Sequence, residues 1–155
     1  MRADDRPIFD ALNDLQAMAL TIYGEARGEF LKFGRPALAG VGYAIKNRID
    51  HPTWWGKGVK GVCYHPVQFS CYLSVSAAAG YRELLKIAKD WTNALHNDHM
   101  LFLCLEIADK ILTGKEPNPV DHATSYCNPA LCTPAWREDK VFVVTIGRHD
   151  FYKEG

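Results

Sequence analysis

Apolar residues recur at steps of three and four through Phe9, Leu12, Leu15, Ala19, Ile22 and Tyr23, the buried stripe of an amphipathic helix. The spacing predicts a helix from about Pro7 to Ala26, capped by Asp4 or Asp5, with Pro7 tolerated in its first turn. Gly24 and Gly28 are poor helix-interior residues, so the chain is expected to leave the helix there and present Glu25 and Glu29 at its end. A second helix is predicted from Pro36 through Leu38, Val41, Ala44, Ile45 and Ile49, ending near Asp50-His51-Pro52.

Residues 51 to 72, rich in Gly, Pro and aromatics, read as an ordered loop region. Helical spacing returns at Tyr81, Leu84, Leu85, Ala88, Trp91 and Leu95, and again from about His99 to Leu112, with Gly114 as a C-terminal cap. Ala123 to Cys127, Val141 to Ile146 and Arg148 to Tyr152 read as strands, the second by its β-branched residues. The order predicts an α+β protein, a helical body carrying a small antiparallel sheet that walls a groove.

Length and charge narrow the reading. A chain of 155 residues can bury enough surface for one independent core, and no repeat, linker or low-complexity tract divides it, so residues 1 to 155 are expected to form a single domain. Eighteen basic and eighteen acidic side chains cancel, which leaves no global field to draw the protein onto nucleic acid or an anionic membrane. No stretch has the length of a membrane span, and the charged start Met1-Arg2-Ala3-Asp4-Asp5-Arg6 does not lead into the apolar core of a secretory signal. Five cysteines, Cys63, Cys71, Cys104, Cys127 and Cys132, are then expected to be reduced, a Cys127–Cys132 bridge being the alternative.

The motifs narrow it further. Tyr23-Gly24-Glu25-Ala26-Arg27-Gly28-Glu29 sets an acid where the helical pattern meets glycines; taken alone it is also what a solvated helix end looks like. It is followed in order by Val41-Gly42-Tyr43-Ala44-Ile45-Lys46-Asn47-Arg48-Ile49 and by Val62-Cys63-Tyr64-His65-Pro66-Val67-Gln68-Phe69-Ser70. Near the end come Ala123-Thr124-Ser125-Tyr126-Cys127-Asn128-Pro129, Pro134-Ala135-Trp136 and Ile146-Gly147-Arg148-His149-Asp150-Phe151-Tyr152. Together these segments resemble the cell wall hydrolase family of the spore-cortex-lytic enzyme catalytic domain, which includes phage lysins, over roughly residues 15 to 152.

The resemblance implies a lysozyme-like fold and a peptidoglycan lytic transglycosylase or muramidase that splits the glycosidic bond after N-acetylmuramic acid, with Glu25 in the place of the family's catalytic glutamate. It implies peptidoglycan glycan strands as the partner and no cofactor. For Glu25 to donate a proton near neutral pH its pKa would have to rise, and Tyr23 or Phe69 are the apolar neighbours expected to raise it. Glycan strands are held by aromatic faces and by amide or hydroxyl groups, a mixture supplied by Gln68, Phe69, Ser70, Tyr126 and Asn128, with Tyr23 and Glu29 expected to orient substrate beside the acid. Arg27 and Arg48 are expected to pair with Glu29 or another acid, and Trp54 and Trp55, outside the matching motifs, to pack as core or lid, a platform for glycan or peptide being the alternative. Asp121-His122 stands where many relatives carry glycines, a departure expected to alter the groove rim.

Two other readings stay open. A zinc-dependent N-acetylmuramoyl-L-alanine amidase needs converging donors, and among six histidines (His51, His65, His96, His99, His122 and His149) the closest spacing is the His96-Asn97-Asp98-His99 pair at a helix junction. His149 is expected instead to support the sheet or groove. A non-catalytic glycan-binding protein is the third reading. Size and the absence of a visible signal predict a monomeric phage or prophage endolysin, made in the host cytoplasm and acting on the wall after release.

Overall fold

The computed structural model describes residues 1–73 and 78–155. Helices α1 (Arg6–Asp10), α2 (Asp14–Phe33), α3 (Arg35–Asp50), α4 (Gly58–Cys63), α5 (Ala78–Lys89), α6 (Trp91–Asn97) and α7 (His99–Leu112) form the body. Strands β1 (Ser125–Cys127), β2 (Lys140–Ile146) and β3 (His149–Glu154) form an antiparallel sheet in the order β1-β3-β2.

The predicted first helix is two helices. Asn13 interrupts the stripe because its side chain accepts from Gln16 N at 2.8 Å while the Gln16 side chain accepts from Asn13 N at 2.9 Å, a reciprocal cap that starts α2 afresh. The expected exit at Gly24 and Gly28 does not occur either. Helix α2 runs through both glycines and stops at Gly34, whose φ of 72° ends one helix, and α3 opens at Arg35 with Pro36 in its first turn. The helical spacing from Tyr81 to Leu95 likewise divides, at Asp90, which caps α6 by accepting from Asn93 N at 3.4 Å. Within residues 51 to 72 the segment Gly58–Cys63 is helical, because Val59, Val62 and Cys63 bury one face.

Helix α2 is the spine of the body, packed against α3, α4 and α7. Its Met18, Leu20 and Ile22 share a core with Phe9, Leu38, Ile45, Leu101 and Ile107, and Phe151 of β3 is fully buried in the same cluster. Each such side chain contributes about 1.5–3 kcal/mol on leaving water. The sheet is tied to the helices by the end of α3. Asn47 Nδ2 donates to Asp121 O at 2.9 Å and Ala123 O at 2.8 Å, and Arg48 Nε donates to Thr124 O at 2.6 Å. These bonds satisfy the backbone leading into β1 and hold Tyr126 opposite Phe151. Among the described residues no helix is long and apolar enough to cross a membrane.

Candidate active site

Gly24 decides where Glu25 finds its partners. A Cβ built on Gly24 would lie 2.7 Å from Cys71 Cβ and 2.9 Å from Cys71 Sγ, so only glycine lets the 3-10 turn Ser70–Tyr72 lie against the α2 backbone. That approach brings Cys71 N to 2.9 Å and Ser70 Oγ to 3.4 Å from Glu25 Oε1, and both donate to it. From the sheet, the Tyr126 hydroxyl donates to Glu25 Oε2 at 2.9 Å. Both carboxyl oxygens are thus held in place while the group stays partly open to a groove of about 670 Å³.

Burial, reinforced by Glu25, pushes the Tyr126 phenol and the Cys71 thiol well above their ordinary pKa values. Tyr126 therefore keeps its proton and remains a donor. Its ring packs on His149 at a tilt of 53° with centroids 5.0 Å apart, and burial lowers the His149 pKa against the opposing pull of Glu29 and Glu25. Burial also lowers the pKa of Arg48, whose guanidinium lies 5.3 Å from the Phe69 ring centroid and 5.7 Å from that of Trp55.

Gln68, Ser70, Tyr126 and Asn128 line the groove with Glu25. Three residues expected there do not. Tyr23, two positions before Glu25 and so about 200° around the helix, points away, its buried hydroxyl donating to Asp98 Oδ2 at 2.6 Å and Glu83 Oε1 at 3.1 Å. Phe69 alternates inward between Gln68 and Ser70 and supports Arg48 from the core. Glu29 does follow Glu25 by one helical turn, but it is buried and accepts from Arg148 Nε at 2.9 Å. The expected apolar neighbours of Glu25, Tyr23 and Phe69, are thus replaced by Ser70, Cys71 and Tyr126.

Other expectations divide. Arg27 pairs with an acid as expected, Glu83 at 2.5 Å, whereas Arg48 reaches Gln68 Oε1 at 3.4 Å and the Thr124 carbonyl. Trp55 is buried as core, donating its Nε1–H to Arg48 O at 2.9 Å, whereas Trp54 is exposed on the groove. Asp121 adopts φ 50°, the left-handed region that suits glycine, but neither it nor His122 lines the groove. Cys127 and Cys132 both line it as free thiols. Sequence reasoning missed Lys140, Glu154, Ser125 and Asp139 as lining residues, since Lys140 and Glu154 lie just outside the predicted strands and neither strand alternates cleanly between buried and exposed positions. Lys140 Nζ donates to Glu154 Oε1 at 2.5 Å and Ser125 Oγ at 2.9 Å, closing one end of the groove with a paired charge. Among the described residues no group of three or more His, Cys, Asp or Glu converges as metal ligands; His96 and His99 sit by a separate hollow beside Phe102.

Compared with known proteins, residues 35–152 match the family described as Cell Wall Hydrolase. The chain belongs to the cell wall hydrolase family. Within this family member the end of α3 and the groove lining other than Glu25 and Glu154 fall inside the matched span, Glu25 preceding it on α2 and Glu154 following it on β3. The chain is 31% identical to the spore cortex-lytic enzyme of Halalkalibacterium halodurans over 139 residues, 90% of this chain and 34% of that protein. It is 29% identical to that of Bacillus subtilis over 139 residues, 90% of this chain and 37% of the relative, so it spans about a third of the length of these curated relatives. Among solved structures it is similar to the catalytic domain of the germination-specific lytic transglycosylase SleB from Bacillus anthracis, with a TM-score of 0.65 and 23% identity over 92% of this chain and 96% of that one. The Bacillus cereus SleB catalytic domain is similar with a TM-score of 0.63 and 23% identity over 90% and 89% of the two chains. The fold of this cell wall hydrolase family member is accordingly the lysozyme-like α+β fold, with its helical body and three-stranded sheet.

Proposed function

We propose that this protein degrades peptidoglycan as a lytic transglycosylase, cleaving the glycosidic bond between N-acetylmuramic acid and N-acetylglucosamine with Glu25 as general acid and then base. The observation that carries this reading is the Glu25 carboxyl, fixed from two sides by Cys71 N and the Tyr126 hydroxyl on the floor of a groove with polar and aromatic walls. The similarity to the catalytic domain of a germination-specific lytic transglycosylase supports the same reading.

In the reaction the Glu25 carboxyl gives its proton to the glycosidic oxygen as the C1–O bond breaks and positive charge develops at the anomeric carbon. The C6 hydroxyl oxygen of the same muramic acid then bonds to C1, and its proton passes to the Glu25 carboxylate. The products are a 1,6-anhydromuramic end and a free 4-hydroxyl on the departing sugar, and Glu25 is again protonated. No second carboxylate is needed. Of the other acids on the walls, Glu154 is engaged by Lys140 and by the Thr124 hydroxyl at 3.1 Å.

Purified peptidoglycan digested by the protein and resolved by mass spectrometry tests the proposal. Anhydromuropeptides are the expected products. Reducing muramic ends would replace transglycosylation by hydrolysis at the same bond, and free stem peptides would overturn the glycosidic reading in favour of an amidase.

A further inference from the structure

The groove carries apolar exposure that the acid–base chemistry does not use. Three of the large hydrophobic side chains left in solvent, Trp54, Val67 and Leu131, line it together with Glu25. Val67 also holds φ at 55°, a left-handed conformation in which a β-branched residue is strained, and strain of this kind persists where surrounding structure over-determines it at a binding surface.

Trp54 is the most specific of the three. It is 61% exposed, yet its ring is fixed: the Trp55 ring meets it at 5.5 Å and 63°, and the His65 ring at 5.8 Å and 80°. Trp55 is in turn anchored by its bond to the Arg48 carbonyl. An exposed indole already held in one orientation loses little freedom on binding. The other groove tryptophan, Trp136, is differently placed, since Lys140 Nζ lies 5.4 Å from its ring centroid and its ring packs on Tyr152 at 5.5 Å. Lys140 thus covers part of Trp136, while most of Trp54 remains available.

We propose that Trp54 is a sugar-stacking platform of this groove, receiving the apolar C–H face of an N-acetylhexosamine in the glycan strand at a subsite beside the one over Glu25. The proposal rests on the reading of the groove as a glycan site. Aromatic rings with a polar edge suit a ligand that is apolar on one face and hydroxylated around its rim, and Gln68, Ser70 and Asn128 on the same walls can reach such a rim.

The test measures binding of peptidoglycan strands to the E25Q protein, which is expected to bind without turnover, and steady-state kinetics in the otherwise native protein. Trp54→Ala is expected to weaken strand binding on the order of tenfold and to raise KM similarly, with a much smaller fall in kcat, and Trp54→Phe to recover most of the loss. Phe102→Ala, which removes a side chain 56% exposed on the separate hollow between α6 and α7, serves as the control. Strand binding by Trp54→Ala within twofold of its parent would overturn the platform, as would an equal loss in Phe102→Ala. Product analysis of the parent is read separately. If it releases stem peptides while Trp54→Ala still loses strand affinity, the proposed cleavage fails and the platform stands.

Discussion

Glu25 and Glu29 leave the same helix one turn apart, and their surroundings could hardly differ more. Glu25 faces a groove, held by a backbone N–H, a serine hydroxyl and a phenol, all neutral donors. Glu29 is sealed beneath Arg148, with Oε1 taking the guanidinium and Oε2 buried without a hydrogen-bond partner among the described residues. Helical spacing makes two carboxylates neighbours; what packs over each turn decides whether the group can meet a substrate or serves the fold.

The largest effect expected along this divide is on lysis. Glu25→Gln should lower peptidoglycan cleavage by about 10²–10⁴-fold with its melting temperature nearly retained, whereas Glu29→Gln should keep most of the activity and lose roughly 1–3 kcal/mol of stability. The Arg148 side chain is 62% exposed, so solvent screens that pair and the lower half of the range is expected. Turnover assays beside thermal melts of both variants check this, and a dead but fully stable Glu29→Gln would erase the distinction between the two acids.

The glycines of the same motif divide in parallel. Gly24→Ala should cost about 1–3 kcal/mol and reduce activity, since the methyl group collides with Cys71 and moves the turn that feeds Glu25. Gly28→Ala meets nothing within 4 Å and should stabilise the helix by about 0.5–1 kcal/mol. Equal melting shifts for the two would show that Gly24 is not where the turn is gated.

Tyr126→Phe removes one of the two firm hydrogen bonds to Glu25 without touching the Glu29 side. A fall in kcat on the order of tenfold with little change in melting is expected. Kinetics at saturating substrate decide it, and an unchanged kcat would leave Cys71 N as the sole positioning bond that matters.

The smallest effect joins the two pockets. His149 stands between them, with Glu29, Glu25 and Arg148 acting on it electrostatically and with Tyr126 and Phe151 packed on its ring. Because burial lowers its folded-state pKa, its contribution to stability is present above the unfolded value of about 6.5 and is lost as pH falls through the folded value. Melting temperatures from pH 7.5 down to 5 should fall more steeply in the parent than in His149→Gln; identical slopes would remove His149 from the pH response.

Much of this was legible in the residues. The helical stripes located α3 and α7 nearly to their ends, β-branched residues located β2, and the ordered motifs marked Glu25, Gln68, Ser70, Tyr126 and Asn128, which line one groove. What misled was local propensity. Glycine reads as a helix breaker, but in Gly24 its smallness serves a close approach and its conformational freedom is not used, and the helix continues because α3, α4 and α7 bury it. Tyr23 and Phe69 were misplaced for a related reason: an aromatic beside a motif acid carries no mark of which way it points until the packing is known.

By itself, then, the sequence determined the α+β order of elements, the family and the candidate acid, because periodicity, capping and motif order are properties of neighbours along the chain. Only the tertiary structure decided the chemistry each residue meets. Tyr126 lies 101 positions from Glu25 and Arg148 lies 119 from Glu29, and partners so distant are chosen by how the sheet docks on the helices, a global outcome of packing that no local window contains.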